Sequence, residues 1–279
     1  MRKFVKGFCS FGGALAVIGG VLLLVGLLMG GRAVDLSLGW DNGPKLYQTD
    51  IADEIAQDIG AGRKNTPHSA YPPALEGEIT SLSIELGAAD VTVQTGEKYN
   101  LELDDASFVY TSTVNSNVWR IANTGIHLWR QSRAPHFIIT VPRGVVLENL
   151  SLSIGAGTLT ADGLSCKASE LKVGLGTMKL TDFTTEGPCQ MTVGMGTLAL
   201  DGALNGHTSV DCGMGEAKLL LARPAEYGYA VKCGMGKAEV DGHRQSGGRF
   251  SSQPHTNAKA SCFFDVRCGM GTAKVQFRD

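Results

Sequence analysis

A four-residue phrase recurs through the second half of this chain and limits what it can fold into. Ile154-Gly155-Ala156-Gly157 returns as Val173-Gly174-Leu175-Gly176 and Val193-Gly194-Met195-Gly196. Three later copies begin with cysteine: Cys212-Gly213-Met214-Gly215, Cys233-Gly234-Met235-Gly236 and Cys268-Gly269-Met270-Gly271. Successive first glycines are 19, 20, 19, 21 and 35 residues apart. A period near twenty predicts stacked supersecondary units, not a domain built around one central core.

Aligned on the first glycine, the copies form columns. Leu159, Met178, Leu198, Ala217, Ala238 and Ala273 stand four residues after it, and Ala161, Leu180, Leu200, Leu219, Val240 and Val275 two further on. Threonine, lysine and glutamate fill the positions between. That alternation is the period of a half-buried strand. The glycines shift it by one residue, which fits a corner, and Asp162-Gly163, Asp201-Gly202 and Asp241-Gly242 mark a second corner. About 20 residues at ~3.3 Å give a rung perimeter near ~66 Å. The predicted fold is all-β: a single-stranded parallel β-solenoid over residues 79–279. Gly87-Ala88-Ala89-Asp90-Val91-Thr92-Val93 reads as a degenerate first copy. Residues 99–141 break the rhythm and read as longer hairpins covering one end or side.

The N-terminus predicts a membrane anchor. Arg2, Lys3 and Lys6 precede a run from Gly7 to Gly31 without a charged residue. Such a run is long enough to cross a ~30 Å hydrocarbon core with tilt, and its basic flank faces the cytoplasm. It exceeds the ~7–15-residue core of a signal peptide and no clear cleavage site follows, so it is read as uncleaved. The expected order is a cytoplasmic N-terminus (1–7), a transmembrane helix (8–31), a stalk (32–78) with a short helix near 50–59, and an extracytoplasmic solenoid.

A formal net charge of −2 gives no general pull toward nucleic acid. Six cysteines lie outside the anchor: Cys166, Cys189, Cys212, Cys233, Cys262 and Cys268. Cys212, Cys233 and Cys268 replace valine and isoleucine in their column, which predicts buried thiols in preference to disulfides. The residues between the glycines (Ala156, Leu175, Met195, Met214, Met235 and Met270) are read the same way. As core slots each would stabilise by ~1.5–3 kcal/mol, and soft-metal binding is the weaker reading.

No Ser/His/Asp or paired-carboxylate pattern stands out, nor any cofactor or metal signature, so the chain reads as non-enzymatic. A polysaccharide-active enzyme is the least favoured reading. The candidate ligand loop is the insertion over 242–260, with His243, Arg244, Arg249, His255 and Lys259 among glycine and serine. The chain ends just after its last rung, which predicts an open β edge suited to self-association.

The N-terminal span, the segment Leu82 to Val91, Ile139-Thr140-Val141-Pro142 and the Gly-x-Gly-Thr repeats resemble the bacterial putative-adhesin domain, a domain of unknown function common in membrane proteins of Firmicutes. The resemblance covers residues 79–279. It implies a surface-displayed, non-enzymatic solenoid and links some relatives to envelope-stress signalling. The expected function is an anchored binding or adhesion module. The alternative is a structural or regulatory envelope protein that associates with itself or with a membrane signalling partner.

Overall fold

Among the described residues, eighteen strands form one sheet whose hydrogen bonds follow the repeat. In chain order they begin with β1 (Ser81–Gly96), β2 (Asn100–Leu103), β3 (Thr111–Asn115), β4 (Val118–Ala122), β5 (His136–Pro142) and β6 (Val146–Asp162). Then come β7 (Ser165–Val173), β8 (Thr177–Thr185), β9 (Cys189–Val193), β10 (Thr197–Leu204), β11 (His207–Cys212) and β12 (Glu216–Ala222). The last are β13 (Tyr227–Cys233), β14 (Lys237–Val240), β15 (His243–Ser246), β16 (Ser251–Ser252), β17 (Cys262–Cys268) and β18 (Thr272–Arg278). The computed structural model describes residues 78–104, 108, 110–123, 134–246, 251–252, 257 and 259–278. These fall in the unit Pro67–Asp279. Among them there is no helix. The expected transmembrane helix (8–31) and the stalk helix near 50–59 lie outside the described residues.

Parallel pairs join strands about one repeat apart. β6 pairs with β7 and β8, β7 with β9, β8 with β10, β9 with β11, and β10 with β12. Equivalent residues face each other, so Ile154 stands on Val173, Val173 on Val193 and Val193 on Cys212. β1 belongs to the same series, with Ala88 on Ala156 and Ala89 on Gly157, as its degenerate copy predicts. Side chains alternate accordingly: β10 is buried at every second residue. The columns beginning with Leu159 and Ala161 are all buried. In the later copies the first of these shrinks to Ala217, Ala273 and Ala238. Phe264 and Tyr229 are buried in the same region, so volume lost in one column is recovered in another.

Two departures correct the expectation of a purely parallel coil in chain order. First, the sheet is mixed. β2 and β3 run antiparallel on β5 and β4, while β15 and β16 run antiparallel on β14 and β13. Second, the order of layers is not the order of the chain. β17 and β18 pair on one side with β11 and β12, and on the other with β13 and β14. The last repeat in sequence therefore lies between the two copies that precede it. The same happens at the other end, where β1 lies between β6 and the later strands β4 and β5.

Both ends finish in tight antiparallel turns. Ser116 and Asn117 have positive φ and connect β3 to β4, with Asn115 opposite Val118. Asp241 (φ 47°) and Gly242 (φ 80°) connect β14 to β15, with Val240 opposite His243. Two central residues at positive φ define the hairpin turn whose twist matches its strands, and Asp-Gly suits it. The expectation of a corner at Asp241-Gly242 is thus corrected to a reversal. The predicted open edge at the C-terminus is corrected too, because β18 is paired on both sides. The outermost strands at that end are the four-residue β15 and the two-residue β16. Short edge strands of this kind discourage edge-to-edge pairing.

Crowding between layers explains the glycines. A Cβ on Gly176, Gly196, Gly215, Gly271 or Gly236 would run into the carbonyl oxygen of the second glycine in the adjoining layer. At the first glycine the clash is milder in the later layers, 3.0 Å at Gly194 and 2.9 Å at Gly269, though at Gly155 a Cβ would run into the Gly87 oxygen. Among the motif glycines only Gly157, whose Cβ would meet the Ala89 carbonyl oxygen, also needs left-handed backbone, with φ 101°.

Candidate functional surfaces

The residue between each pair of glycines is held by backbone bonds that repeat from layer to layer. Met195 N–H donates to the carbonyl of Gly174 at 2.9 Å, and Met214 to Gly194 at 2.9 Å. Met270 donates to Gly213 at 2.8 Å, and Met235 to Gly269 at 2.8 Å. These side chains point to solvent: Leu175 is 51% exposed, Met214 41%, Met270 55% and Met235 72%, while Met195 is half-buried. The expectation of core slots is therefore wrong. The two flanking glycines bring neighbouring backbones so close that the residue between them is left on the crest of the corner. In space the crest reads Ala156, Leu175, Met195, Met214, Met270, Met235. Leu175, Met214, Met235 and Met270 are four of the six exposed large hydrophobics among the described residues.

Beneath the crest, Cys212, Cys268 and Cys233 occupy three successive layers, with Cys268 opposite both others. All six cysteines outside the N-terminal run are buried and unbridged, and Cys212, Cys233 and Cys268 sit in their column as expected. Cys212 Sγ lies 3.2 Å from the Gly215 carbonyl and Cys262 Sγ 3.2 Å from that of Leu204, so the thiols donate to backbone. Burial pushes the Cys189 thiol up to about 12. The same cause, helped by the neighbouring Cys212 and Cys233 thiols, takes Cys268 to about 12. Such thiols stay protonated and are poor nucleophiles.

Of the five residues proposed for a ligand loop, His243, Arg244 and Lys259 fall among the described residues. His243 lies on β15, its ring stacked on Tyr229 with centroids 5.3 Å apart. Arg244, also on β15, donates from Nε at 3.0 Å and Nη2 at 2.9 Å to Glu239 Oε2 on β14. Both side chains therefore fasten the terminal hairpin. Lys259 is exposed in the turn before β17. Arg249 and His255 lie outside the described residues.

A surface that sequence reasoning passed over lies on the outward side of β8, β10, β12 and β18. Here a depression of about 310 Å³ is bordered by Lys179, Lys218 and Lys274, with Leu220 and Asp201 in its lining. Lys218 Nζ lies 2.9 Å from Glu216, Lys274 Nζ 3.7 Å from Glu239, and Asp201 2.8 Å from Arg278. Lys179 makes no ion pair among the described residues. The signal was present in the sequence, because the three lysines share one outward column interrupted only by Ala199. The lining mixes amines with aliphatic side chains. Among the described residues no group of three or more His, Cys, Asp or Glu converges as a metal site.

No protein-family model matches the chain, and no curated protein matches it. Among solved structures it is similar to a putative cell adhesion protein from Clostridium sporogenes at 14% identity, with 72% of this chain and 93% of the other covered and a TM-score of 0.37. It is also similar to a putative adhesin from Bacteroides fragilis at 13% identity, with 71% and 92% covered and a TM-score of 0.34.

Proposed function

We propose that this chain is a membrane-anchored extracytoplasmic β-solenoid that acts as a non-enzymatic surface binding or adhesion module. The uncharged run from Gly7 to Gly31 supplies the single span, with the N-terminus cytoplasmic and the bulk of the chain outside. The observation that carries the reading is the layer-to-layer register. Equivalent repeat positions stand on one another through Thr158, Thr177, Thr197, Glu216, Thr272 and Lys237, so the outward columns form linear displays. The depression bordered by Lys179, Lys218 and Lys274 is the face best suited to a ligand, an extended acidic polymer such as a surface polysaccharide.

A glycan-binding screen of the full-length chain, with a Lys179→Glu/Lys218→Glu/Lys274→Glu variant beside it, tests this reading. Binding of acidic glycans that weakens with salt and disappears in the variant is expected. Neutral-glycan binding alone, or acidic-glycan binding equal in both proteins, contradicts it. Self-association through the last strand, part of the alternative structural or regulatory reading, loses its premise because β18 is interior.

A further inference from the structure

We propose that the crest formed by Met195, Met214, Met270 and Met235 is a binding site for a soft, thiophilic monovalent cation, copper(I) being the physiological example. The four residues are scattered in sequence, with 34 residues between Met235 and Met270. Stacking of the repeat in register makes them consecutive in space, with Met270 between Met214 and Met235. Their backbones are locked by the repeating bonds to glycine carbonyls, and neighbouring layers stand ~4.8 Å apart. Unbranched thioether side chains rooted at that spacing can turn two or three sulfurs toward one ion. Thioethers select soft cations and bind magnesium or calcium poorly.

An apolar row facing water on a corner contributes little to the core, so burial does not account for it. The buried layers below use valine, leucine and alanine freely, yet the crest holds methionine in four consecutive layers. The thiols are not the site. Cys212, Cys268 and Cys233 face inward and are buried, and burial pushes the Cys212 and Cys268 thiols up. Glu216, the carboxylate next to the crest, is paired with Lys218 at 2.9 Å. A hard-cation alternative therefore lacks a free anionic donor there.

The test uses the full-length chain labelled with ¹³C at the methionine ε-methyl groups and titrated anaerobically with silver(I), a diamagnetic probe of the same softness. The methyl signals of Met195, Met214, Met270 and Met235 should shift and saturate, while those of the buried Met178 and Met191 stay put. Met214→Leu/Met270→Leu should lower silver(I) and copper(I) affinity about tenfold or more. Leucine already occupies this column at Leu175, so folding is preserved. Cys212→Val/Cys268→Val/Cys233→Val, with valine as at Val173 and Val193, should bind as tightly as the parent. Unmoved crest methyls, undiminished affinity in the leucine variant, or lost affinity in the valine variant would overturn the proposal.

Discussion

Arg223 and Asp241 clasp each other over the inserted C-terminal layer, Nη1 to Oδ2 at 3.1 Å and Nη2 to Oδ1 at 3.4 Å. Arg223 follows β12 and Asp241 follows β14, while β18 runs between those strands. Phe277 of β18 lies under the guanidinium, 5.4 Å from ring centroid to carbon. Tyr227 adds a hydroxyl donated to Asp241 Oδ2 at 2.5 Å. These four side chains hold the last repeat in its slot.

The clasp predicts an acid-sensitive contribution to stability. The Tyr227 hydrogen bond first, then the Arg223 guanidinium, hold the Asp241 carboxyl below its ordinary value of 3.8. A depressed carboxylate stabilises above its unfolded value and loses that contribution as pH falls through the folded one. Asp241→Asn, which keeps a side chain tolerant of positive φ, should cost about 1 kcal/mol near pH 7, because the pair is partly exposed. In urea unfolding the gap between variant and parent should close as pH falls from about 5 to about 2.

The two glycines of a motif should differ in tolerance. A Cβ at Gly196 meets the Gly176 carbonyl and, at 2.8 Å, Val173 Cγ1, whereas at Gly194 the nearest atom is the Gly174 oxygen at 3.0 Å. Gly196→Ala should cost about 3 kcal/mol and Gly194→Ala about 1 kcal/mol, the ends of the usual overpacking range. Thermal or urea unfolding of the two variants measures the difference directly.

The thiols predict loss of stability in alkali. Cys189 and Cys268 move from an ordinary 9.0 to about 12 on folding, chiefly through burial. The unfolded chain then releases protons first, so stability is complete below about pH 9 and falls as pH rises toward 12. Cys189→Ala and Cys268→Val should each flatten that fall. A thiol reagent at neutral pH should modify none of the six buried cysteines until denaturant is added.

Removing the last repeat should damage a middle layer. A stop codon after Ser261 deprives β13 and β14 of the strands they pair with in parallel, and exposes β11 and β12 on one side. Limited proteolysis should cut this truncated chain readily over residues 223–261. Strands β1 and β6, separated from β12 by β8 and β10, should stay protected.

The columns were legible in sequence because burial in a strand follows a period of two, and the repeat supplied six aligned copies. The crest was not. A one-residue shift inside Val193-Gly194-Met195-Gly196 leaves undecided which residue turns outward, and methionine suits either environment. Layer order was hidden more deeply. Cys212-Gly213-Met214-Gly215, Cys233-Gly234-Met235-Gly236 and Cys268-Gly269-Met270-Gly271 are nearly identical, so any one fits the slot of another. The long interval before Cys268 marked the insertion, but its length suggested a loop. It is instead the path that lets β15 and β16 close the end before the chain returns inward. The lysines around the depression already share one column of the aligned repeat, but the depression between them and its place on β8, β10, β12 and β18 come only from the register.

Layer order is the claim on which the crest, the clasp and the closed end all depend. Spin–spin distances between encoded labels at Thr158 and Thr272, and at Thr158 and Lys237, decide it. Register puts Thr272 four layers from Thr158 and Lys237 five. At ~4.8 Å per layer the backbone separations are ~19 Å and ~24 Å, so the pair with the residue later in sequence gives the shorter distance. A shorter distance to Lys237 than to Thr272 would mean that the layers follow the chain, and would contradict the account.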